Sequence, residues 1–519
     1  MYNDCFAYTT KLKQITDAGC LHHIQHGIEK ESLRIAHSGD IAQTWHSELL
    51  GAALTHPYIT TDYSEALLEF ITPVFEDIDD MLSFLSELHR YTIQYLDNEL
   101  LFCNSMPAIL KDDDHIPIAR YGSSNFGHIK HIYRVGLGYR YGKAMQTIAG
   151  IHYNFSLPTQ FWDYVSYGNN PDKSAAEGYM ALIRNFKRYS WLLIYLFGAS
   201  PVVDGSFLRG KQHQLEKLGD DTFYSPWATS LRMSRIGYTN ELQDQLNINY
   251  NSIDAYIKTL SAAVNTPHAN YEKIGVKHVN QYRQLSCNIL QIENEYYNSI
   301  RPKCIMRYNE RPLDALSRTV EYVEVRCLDI NPQLPLGIDS ETACFLDVFL
   351  TFCAIVDSPV ISSQENQIIR QNFQKVVMTG RKTKLRINTF NKGRLQRISL
   401  QKQGKFLLDK MSAIAEALDT VHHNTRYSES LQKQLNKIND INLIPSAQIL
   451  NQVEENGNSF IKTILKLSEQ HCQYFRNKPL PPEREQYFQQ LAAQSHKDQQ
   501  KIEAEDDIPL SEFLQCYLN

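Results

Sequence analysis

Absences narrow the reading first. The 519-residue chain carries ten cysteines, but no two stand at C-x-x-C spacing and none cluster as zinc ligands do. A zinc module and a disulfide scaffold are thereby disfavoured. The scattered thiols read as reduced core residues of a cytoplasmic protein. The first residues, MYNDCFAYTT, have no basic region followed by an apolar run, so no secretory signal is expected. Long hydrophobic runs are missing too. Trp191–Val203 is too short to span a bilayer and contains Gly198 and Pro201, while Ala343–Val356 contains Asp347; both read as buried elements of a soluble core. Neither sign of charge dominates, with 52 basic against 58 acidic side chains and a net charge of -6. Nothing therefore draws the whole chain to nucleic acid or to an anionic membrane. Internal repeats and long low-complexity segments are also lacking.

What is present is a mixed α and β pattern. Helical periodicity is clearest over Ile78–Leu96, Ala175–Phe197, Ser340–Val356, Asn366–Met378 and Phe406–Leu418. Asp163–Ser174, Gly210–Pro226 and Arg476–Glu483 are rich in turn residues or charge and are expected as loops. The chemistry-bearing residues lie before about Ile361, which suggests a catalytic region, 1–360, and a mostly helical region, 361–519, packed on the same unit. Arg381–Lys410 holds ten Lys and Arg but one acidic residue, Asp409. Without closely interleaved aromatics it reads as a solvated surface and not as a nucleic-acid site.

Three short motifs carry little. Gly205–Gln212 matches a phosphate-binding loop except that Gln212 lacks the metal-binding hydroxyl, and Pro201–Asp204 is a poor buried strand to precede it. Gly136, Gly138 and Gly142 miss the dinucleotide spacing. His22 and His26, in HHIQH, lack the glutamate of a zincin helix and read as surface histidines.

The informative pattern is a recurrence of period-2 segments whose alternate residues are ligand types. In HGIEKESLRI, extended chain places Glu29 and Glu31 on one face and Ile28 and Lys30 on the other. In EALLEFITP, Leu67, Glu69 and Ile71 share a face. Thr72-Pro73 ends that run, and Phe70-Ile71-Thr72 favours a strand over a helix that would stack Glu65 on Glu69. His152, Asn154 and Ser156 alternate with Ile151, Tyr153 and Phe155, and Glu324 and Arg326 alternate with Val323, Val325 and Cys327.

A solvated sheet face accounts for any one of these segments. The four together present Glu29, Glu31, Glu69, His152, Asn154, Glu324 and Arg326, where solvated strands usually mix Lys, Thr and Ser. Paired side by side, they bring carboxylates and an imidazole onto one surface beside an arginine, and carboxylates so close call for cations. Such oxygens suit magnesium, which is commonly shared with substrate phosphates; the imidazole keeps manganese open. Arg326 offers a planar, permanently charged fork to a phosphoryl group. The residues point to metal-assisted chemistry on a nucleotide phosphate and leave the substrate open.

Longer blocks carry a resemblance. GIEKESLR, LTHPYITTDYSEALLEFITP, YGSSNFG, YRVGLGYRYGKAMQTIAGIHYNFSLP, IYLFGASP, ATSLRMSRIGYTN, NILQIENEYYNSIRPK and EYVEVRCLDINP occur in that order. From about Gln25 to Asp357 the chain resembles bacterial glutamate–cysteine ligases of the proteobacterial type. The resemblance implies an α+β fold similar to glutamine synthetase, with a curved antiparallel sheet forming a funnel-shaped active site surrounded by helices. It implies magnesium ions bridging ATP phosphates, with Glu29, Glu31, Glu69, His152 and Glu324 as ligands, Asp62 and Asn154 lining the site, and Arg326 stabilising the phosphoryl group in transfer. The implied cysteine pocket comprises Tyr63, Tyr133, Arg134, Leu137, Gln146, Tyr238 and Tyr297, and Arg232 would meet an amino-acid carboxylate. Where relatives carry Phe, Tyr63 adds a hydroxyl beside the expected thiol pocket.

The implied reaction joins the γ-carboxylate of glutamate to the amine of cysteine through a γ-glutamyl phosphate, the first step of glutathione synthesis. Glutamate, cysteine and ATP are the expected partners, with feedback by glutathione and no nucleic acid or membrane; a cytoplasmic monomer is expected. Two other readings remain open from the residues: a ligase of the same fold with another amine acceptor, and a non-catalytic nucleotide-binding relative.

Overall fold

Gln25–Ala36 forms β1, a twelve-residue strand on which the main sheet is built. The structure, a computed structural model, describes residues 2–518 apart from 97, 166–173, 238–240, 308–309 and 392–393. Ile59–Thr61 (β2), Leu67–Ile71 (β3), Glu99–Phe102 (β4), Ile151–Ser156 (β5), Ile300–Lys303 (β6) and Tyr322–Leu328 (β7) complete a seven-stranded sheet. Its order is β6-β7-β5-β1-β3-β2, with β4 also paired to β1. Every pairing is antiparallel. Within EALLEFI, Leu67–Ile71 is therefore extended, as its β-branched and aromatic end favoured, and Glu65 and Ala66 form the turn before it.

Helices cover the apolar face of the sheet. Ile78–Gln94 (α1) starts at Asp77, whose carboxylate accepts from the N–H groups of Asp79 and Asp80. Asn125–Tyr141 (α2), which is not one of these and lies beside the opposite face, starts at Ser124, whose hydroxyl accepts from Gly127 N. Ser174–Phe197 (α3) packs against β6 and β7, and against Ser340–Ile355 (α4). From Ala343 to Ile355 that last helix is buried on every side, in keeping with its largely apolar sequence. Ser363–Thr379 (α5) and Leu400–His422 supply the other two expected helices.

One hydrophobic core runs from Tyr8 to Phe488. A smaller one forms where Leu510–Leu518 (α6) lies against α2, joining Leu514 to Ile129, Ile132 and Leu285. Among the described cysteines seven are buried free thiols, Cys287 is half-buried and Cys516 is exposed. No helix of the described residues is long and apolar enough to cross a membrane.

Several expectations need correction. Gly210–Pro226 is not all loop: Thr222–Tyr224 pairs with the buried strand Val202–Asp204 on one side and with Glu216–Lys217 on the other, making a small sheet. That strand ends in a single 3-10 turn, Gly205–Leu208, and not in the long helix a phosphate loop requires. Phe161–Tyr164 is a short helix, and most of the loop expected after it lies outside the described residues. His26 is not a surface residue. It is buried, with Nε2 3.2 Å from Glu76 O and Nδ1 3.6 Å from Asp347 Oδ1. The basic stretch forms the hairpin Arg386–Asn391 and Arg394–Ser399, whose second strand is exposed over its first four residues. Arg381 is the exception; it is buried, donating to Ala228 O.

Candidate active site

The sheet order places β7, β5, β1 and β3 side by side, so the four expected segments are neighbours. Residues directly opposite in an antiparallel pair project to the same side. Glu29 lies opposite both His152 and Ile71, Glu31 opposite Glu69, and Asn154 opposite Glu324. His152 Nδ1 is 3.1 Å from Glu29 Oε2 and 3.5 Å from Glu324 Oε1, and its Nε2 is 4.0 Å from Glu31 Oε1. One ligand atom from each of Glu29, His152 and Glu324 lies within 4.8 Å of the others. Asn154 Nδ2 donates to Glu29 Oε1 over 2.9 Å.

Arg326 closes one side, its Nη1 2.8 Å from Glu324 Oε1. The β7–β5 register shifts between Val325 and Leu328, so Arg326 sits on an irregular step of the ladder. Such steps re-aim side chains beside active sites.

The electrostatics describe an excess of buried negative charge. Burial, then Asp62, pushes the Glu31 carboxyl up to about 8. Burial also sends Glu69 well above the carboxylate range, with Asp62, Glu29 and Glu31 adding to it. Against burial, Arg326, Lys303 and His152 hold Glu324 well below that range. Burial and Arg326 lower His152, keeping the imidazole neutral and available as a ligand. Glu324 Oε2 and Asn154 Oδ1 are buried without a hydrogen-bond partner, a costly state for oxygens with nothing to bind. Carboxylate and amide oxygens with one neutral imidazole fit a hard divalent cation.

Next to this face lies the second group of expected residues. Tyr133, Arg134 and Leu137 are all on α2. Arg134 links the two groups: Nε donates to Asp62 O, Nη2 is 4.0 Å from Asp62 Oδ1, and the guanidinium lies 4.6 Å from the Tyr121 ring centroid. Tyr63 is buried against α2, where a Cβ on Gly138 would stand 2.7 Å from its hydroxyl oxygen. Gln146 Nε2 donates to Tyr297 Oη over 3.0 Å.

Tyr297 is in turn held from behind. Gln243 accepts from Tyr297 N and donates to Tyr141 Oη, which donates to Glu295 Oε1; Arg140 Nη1 donates to that same oxygen over 2.9 Å. Both members of the Arg140–Glu295 pair are fully buried.

Arg232 is enclosed beside this face, where its charge acts to lower the Glu31 carboxyl. It is fully buried, with Nη2 donating to Arg326 O over 3.0 Å and Nη1 4.0 Å from Asp329 Oδ1. Gly150 makes room for it, since a Cβ there would come within 2.0 Å of Nη2. It braces the Arg326 strand. Tyr238 lies outside the described residues.

Sequence reasoning missed three contributors. Arg140 and Glu295 carry no local signal, because the charged partner of each stands 155 residues away along the chain. Lys303 had one: it lies two residues after Arg301 in SIRPK, and so on the same face of an extended segment. The structure puts its Nζ 3.8 Å from Glu324 Oε2.

Known proteins share this arrangement of chain. The family profile for glutamate-cysteine ligase matches residues 9–376. Glutamate–cysteine ligase of Pseudomonas aeruginosa is 48% identical over 497 residues, covering 95% of this chain and 93% of that one. The Azotobacter vinelandii enzyme of the same name is 46% identical over 505 residues, covering 96% and 94%. A solved glutamate–cysteine ligase from Francisella tularensis in complex with AMP superposes with a TM-score of 0.90 at 36% identity, covering 95% of this chain and 97% of that chain. A bifunctional glutathione synthetase from Pasteurella multocida shares the fold, with a TM-score of 0.70 at 23% identity. With the family profile spanning most of its length and relatives this similar over nearly all of it, the chain belongs to the glutamate–cysteine ligase family.

Proposed function

We propose that this protein joins the γ-carboxylate of glutamate to the amine of cysteine at the expense of ATP. The observation that carries this reading is the convergence of Glu29, His152 and Glu324, their ligand atoms within 4.8 Å of one another, with Arg326 on the same carboxylate. The AMP held by the Francisella tularensis enzyme supports a nucleotide in the corresponding cleft.

A carboxylate is a poor electrophile, so it needs a leaving group before an amide can form. An oxygen of glutamate's γ-carboxylate attacks the γ-phosphorus of ATP, ADP departs, and a γ-glutamyl phosphate remains. The cysteine amine then attacks the acyl carbon, loses a proton, and inorganic phosphate leaves. Glu29, Glu31, Glu69, His152 and Glu324 hold magnesium in this scheme, manganese being the alternative, with Asp62 and Asn154 lining the same face. Bound there, the cation neutralises charge on the triphosphate.

The chain's own part is positioning and charge. Arg326 presents its guanidinium to the phosphoryl group as it transfers. Tyr63, Tyr133, Arg134, Leu137, Gln146 and Tyr297, with Tyr238, form the acceptor pocket, where aromatic surface suits a thiol. No protein cysteine takes part.

The same reading makes the protein a cytoplasmic monomer, with residues 1–360 as the catalytic region and 361–519 as a helical region packed on the same unit. Glutathione, which contains the γ-glutamylcysteine product, competes at the amino-acid subsites.

ADP formation tests the reading. It is measured with glutamate and cysteine together, with each alone, and in Glu324→Ala. Both amino acids together stimulate ATP consumption in the native chain and not in the variant. No stimulation by the pair would remove the substrate assignment. Faster turnover with 2-aminobutyrate or glycine than with cysteine would move it to another acceptor.

A further inference from the structure

Strand β6 places two basic residues, Arg301 and Lys303, on the ligand face of the sheet. Arg301 stands directly opposite Glu324 and Lys303 directly opposite Tyr322, so both project to the side that carries Glu324. Their surroundings differ. The Arg301 guanidinium is buried and spent on its own neighbourhood, donating to Asn298 Oδ1, Asn294 O and Tyr296 O. The Lys303 side chain is 30% exposed; its ammonium lies 3.8 Å from Glu324 Oε2, and its charge also acts on Glu29. That distance is beyond a hydrogen bond, so among the described residues no hydrogen bond holds the ammonium.

Glu324 thus lies between two cations. Its Oε1 takes Arg326 at 2.8 Å, and its Oε2, buried and without a hydrogen-bond partner, faces Lys303. Arg326 is the enclosed member of the flanking pair, with 9% of its side chain exposed, and Lys303 the one nearer the rim. A triphosphate whose terminal group meets Arg326 runs outward with further anionic oxygens. An ammonium on a four-carbon stem, held on a strand and free at its tip, suits those oxygens. Pro302, between the two basic residues, fixes the local φ and stiffens the strand that presents them.

We propose that Lys303 is a nucleotide-binding residue, its ammonium contacting the phosphates of ATP that are retained in ADP, while Arg326 serves the phosphate that is transferred. The assignment rests on the ligase reading and adds a residue to it. It divides the labour of the two cations around Glu324. Arg326 acts on the step, and Lys303 on affinity for substrate and product nucleotide.

The test is ADP binding by calorimetry with magnesium present, on the full chain, in the native protein and in Lys303→Gln and Lys303→Arg, with thermal melts to show that each variant is folded. The expected result is an ADP Kd about tenfold higher in Lys303→Gln, recovered to within about threefold by Lys303→Arg. KM for ATP follows the same order, and KM for glutamate and cysteine moves less than about twofold. A folded Lys303→Gln that binds ADP as tightly as the native chain overturns the assignment. So does a variant whose magnesium affinity alone changes, because Lys303 would then be only a counter-ion to Glu324. A native chain that binds no ADP overturns the ligase reading, and this assignment with it.

Discussion

Glu31 and Glu69 stand directly opposite each other on neighbouring antiparallel strands and project to the same side. Two carboxylates in that relationship repel, and the cost is visible at Glu69, which burial, then Asp62, Glu29 and Glu31 hold well above the carboxylate range. Glu69→Gln is therefore expected to stabilise the metal-free protein by about 1–2 kcal/mol. The same change lowers ADP formation by about 100-fold. Urea denaturation without metal, run beside the activity assay, checks both halves. A variant that is both less stable and fully active would contradict the role given to this pair.

Arg326 tests the phosphoryl step. Its planar fork is held on the Glu324 carboxylate, and an ammonium reproduces the charge but not the fork. Arg326→Lys is expected to lower kcat by about 100-fold and Arg326→Gln by about 1000-fold, with smaller changes in KM. Steady-state kinetics with saturating amino acids separate these effects.

His56 sets an acid limit on stability. Its Nδ1 accepts from Tyr58 N and Ile59 N at 3.1 and 2.9 Å, a role open only to the neutral ring. Burial, then His496, draws its pKa down to about 4. As pH falls through 6.5 the unfolded chain takes up a proton that the folded chain refuses until about pH 4. Stability attributable to this group is thus complete above pH 6.5 and is lost on acidification, by roughly 3 kcal/mol over the whole window. Denaturation midpoints between pH 7 and 4.5 should fall less steeply in His56→Gln, and an unchanged slope would show that the ring is not the cause.

Tyr63 carries a buried hydroxyl with no hydrogen-bond partner. Tyr63→Phe is expected to raise stability by about 1 kcal/mol, since it removes an unsatisfied polar atom and keeps the ring. Calorimetric melting checks this. A loss of stability would mean that the hydroxyl has a partner in solution.

Behind Tyr297, the Arg140–Glu295 pair is wholly enclosed. Glu295→Leu leaves an unpaired guanidinium in the core and is expected to cost about 3–5 kcal/mol, most of it recovered in the double variant Arg140→Met, Glu295→Leu. KM for cysteine should still rise in the double variant, because Tyr141 and Gln243 lose the anchor that orders Tyr297.

Legibility in the sequence followed the range of the forces involved. Alternation along Ile28–Glu31 or Ile151–Ser156 is a local property, so the strands and their ligand faces could be read directly. The register that sets Glu31 against Glu69 is not local, and neither is the irregular step that carries Arg326. Burial of charge was the least legible feature. Lys30, on the face behind Glu29 and Glu31, donates to Ser32 Oγ and lies 2.6 Å from His89 Nε2, its ammonium drawn down to about 7 by burial. The enclosure of Arg232 is a second case: its guanidinium meets Arg326 O and Asp329, nearly a hundred residues further along the chain. The 1–360 and 361–519 division rested on composition, which does not reveal that α6 lies on the helix bearing Tyr133 and Leu137.

The ligand strands are widely spaced in the chain, and 295 positions separate Glu29 from Glu324. A polypeptide still emerging from the ribosome, with β5 made and β7 not yet made, has no Glu324 and no Arg326 to offer. It also leaves one edge of β5 bare. Such a nascent chain cannot turn over ATP, so the hydrolytic risk of an incomplete centre is avoided by the order of synthesis itself.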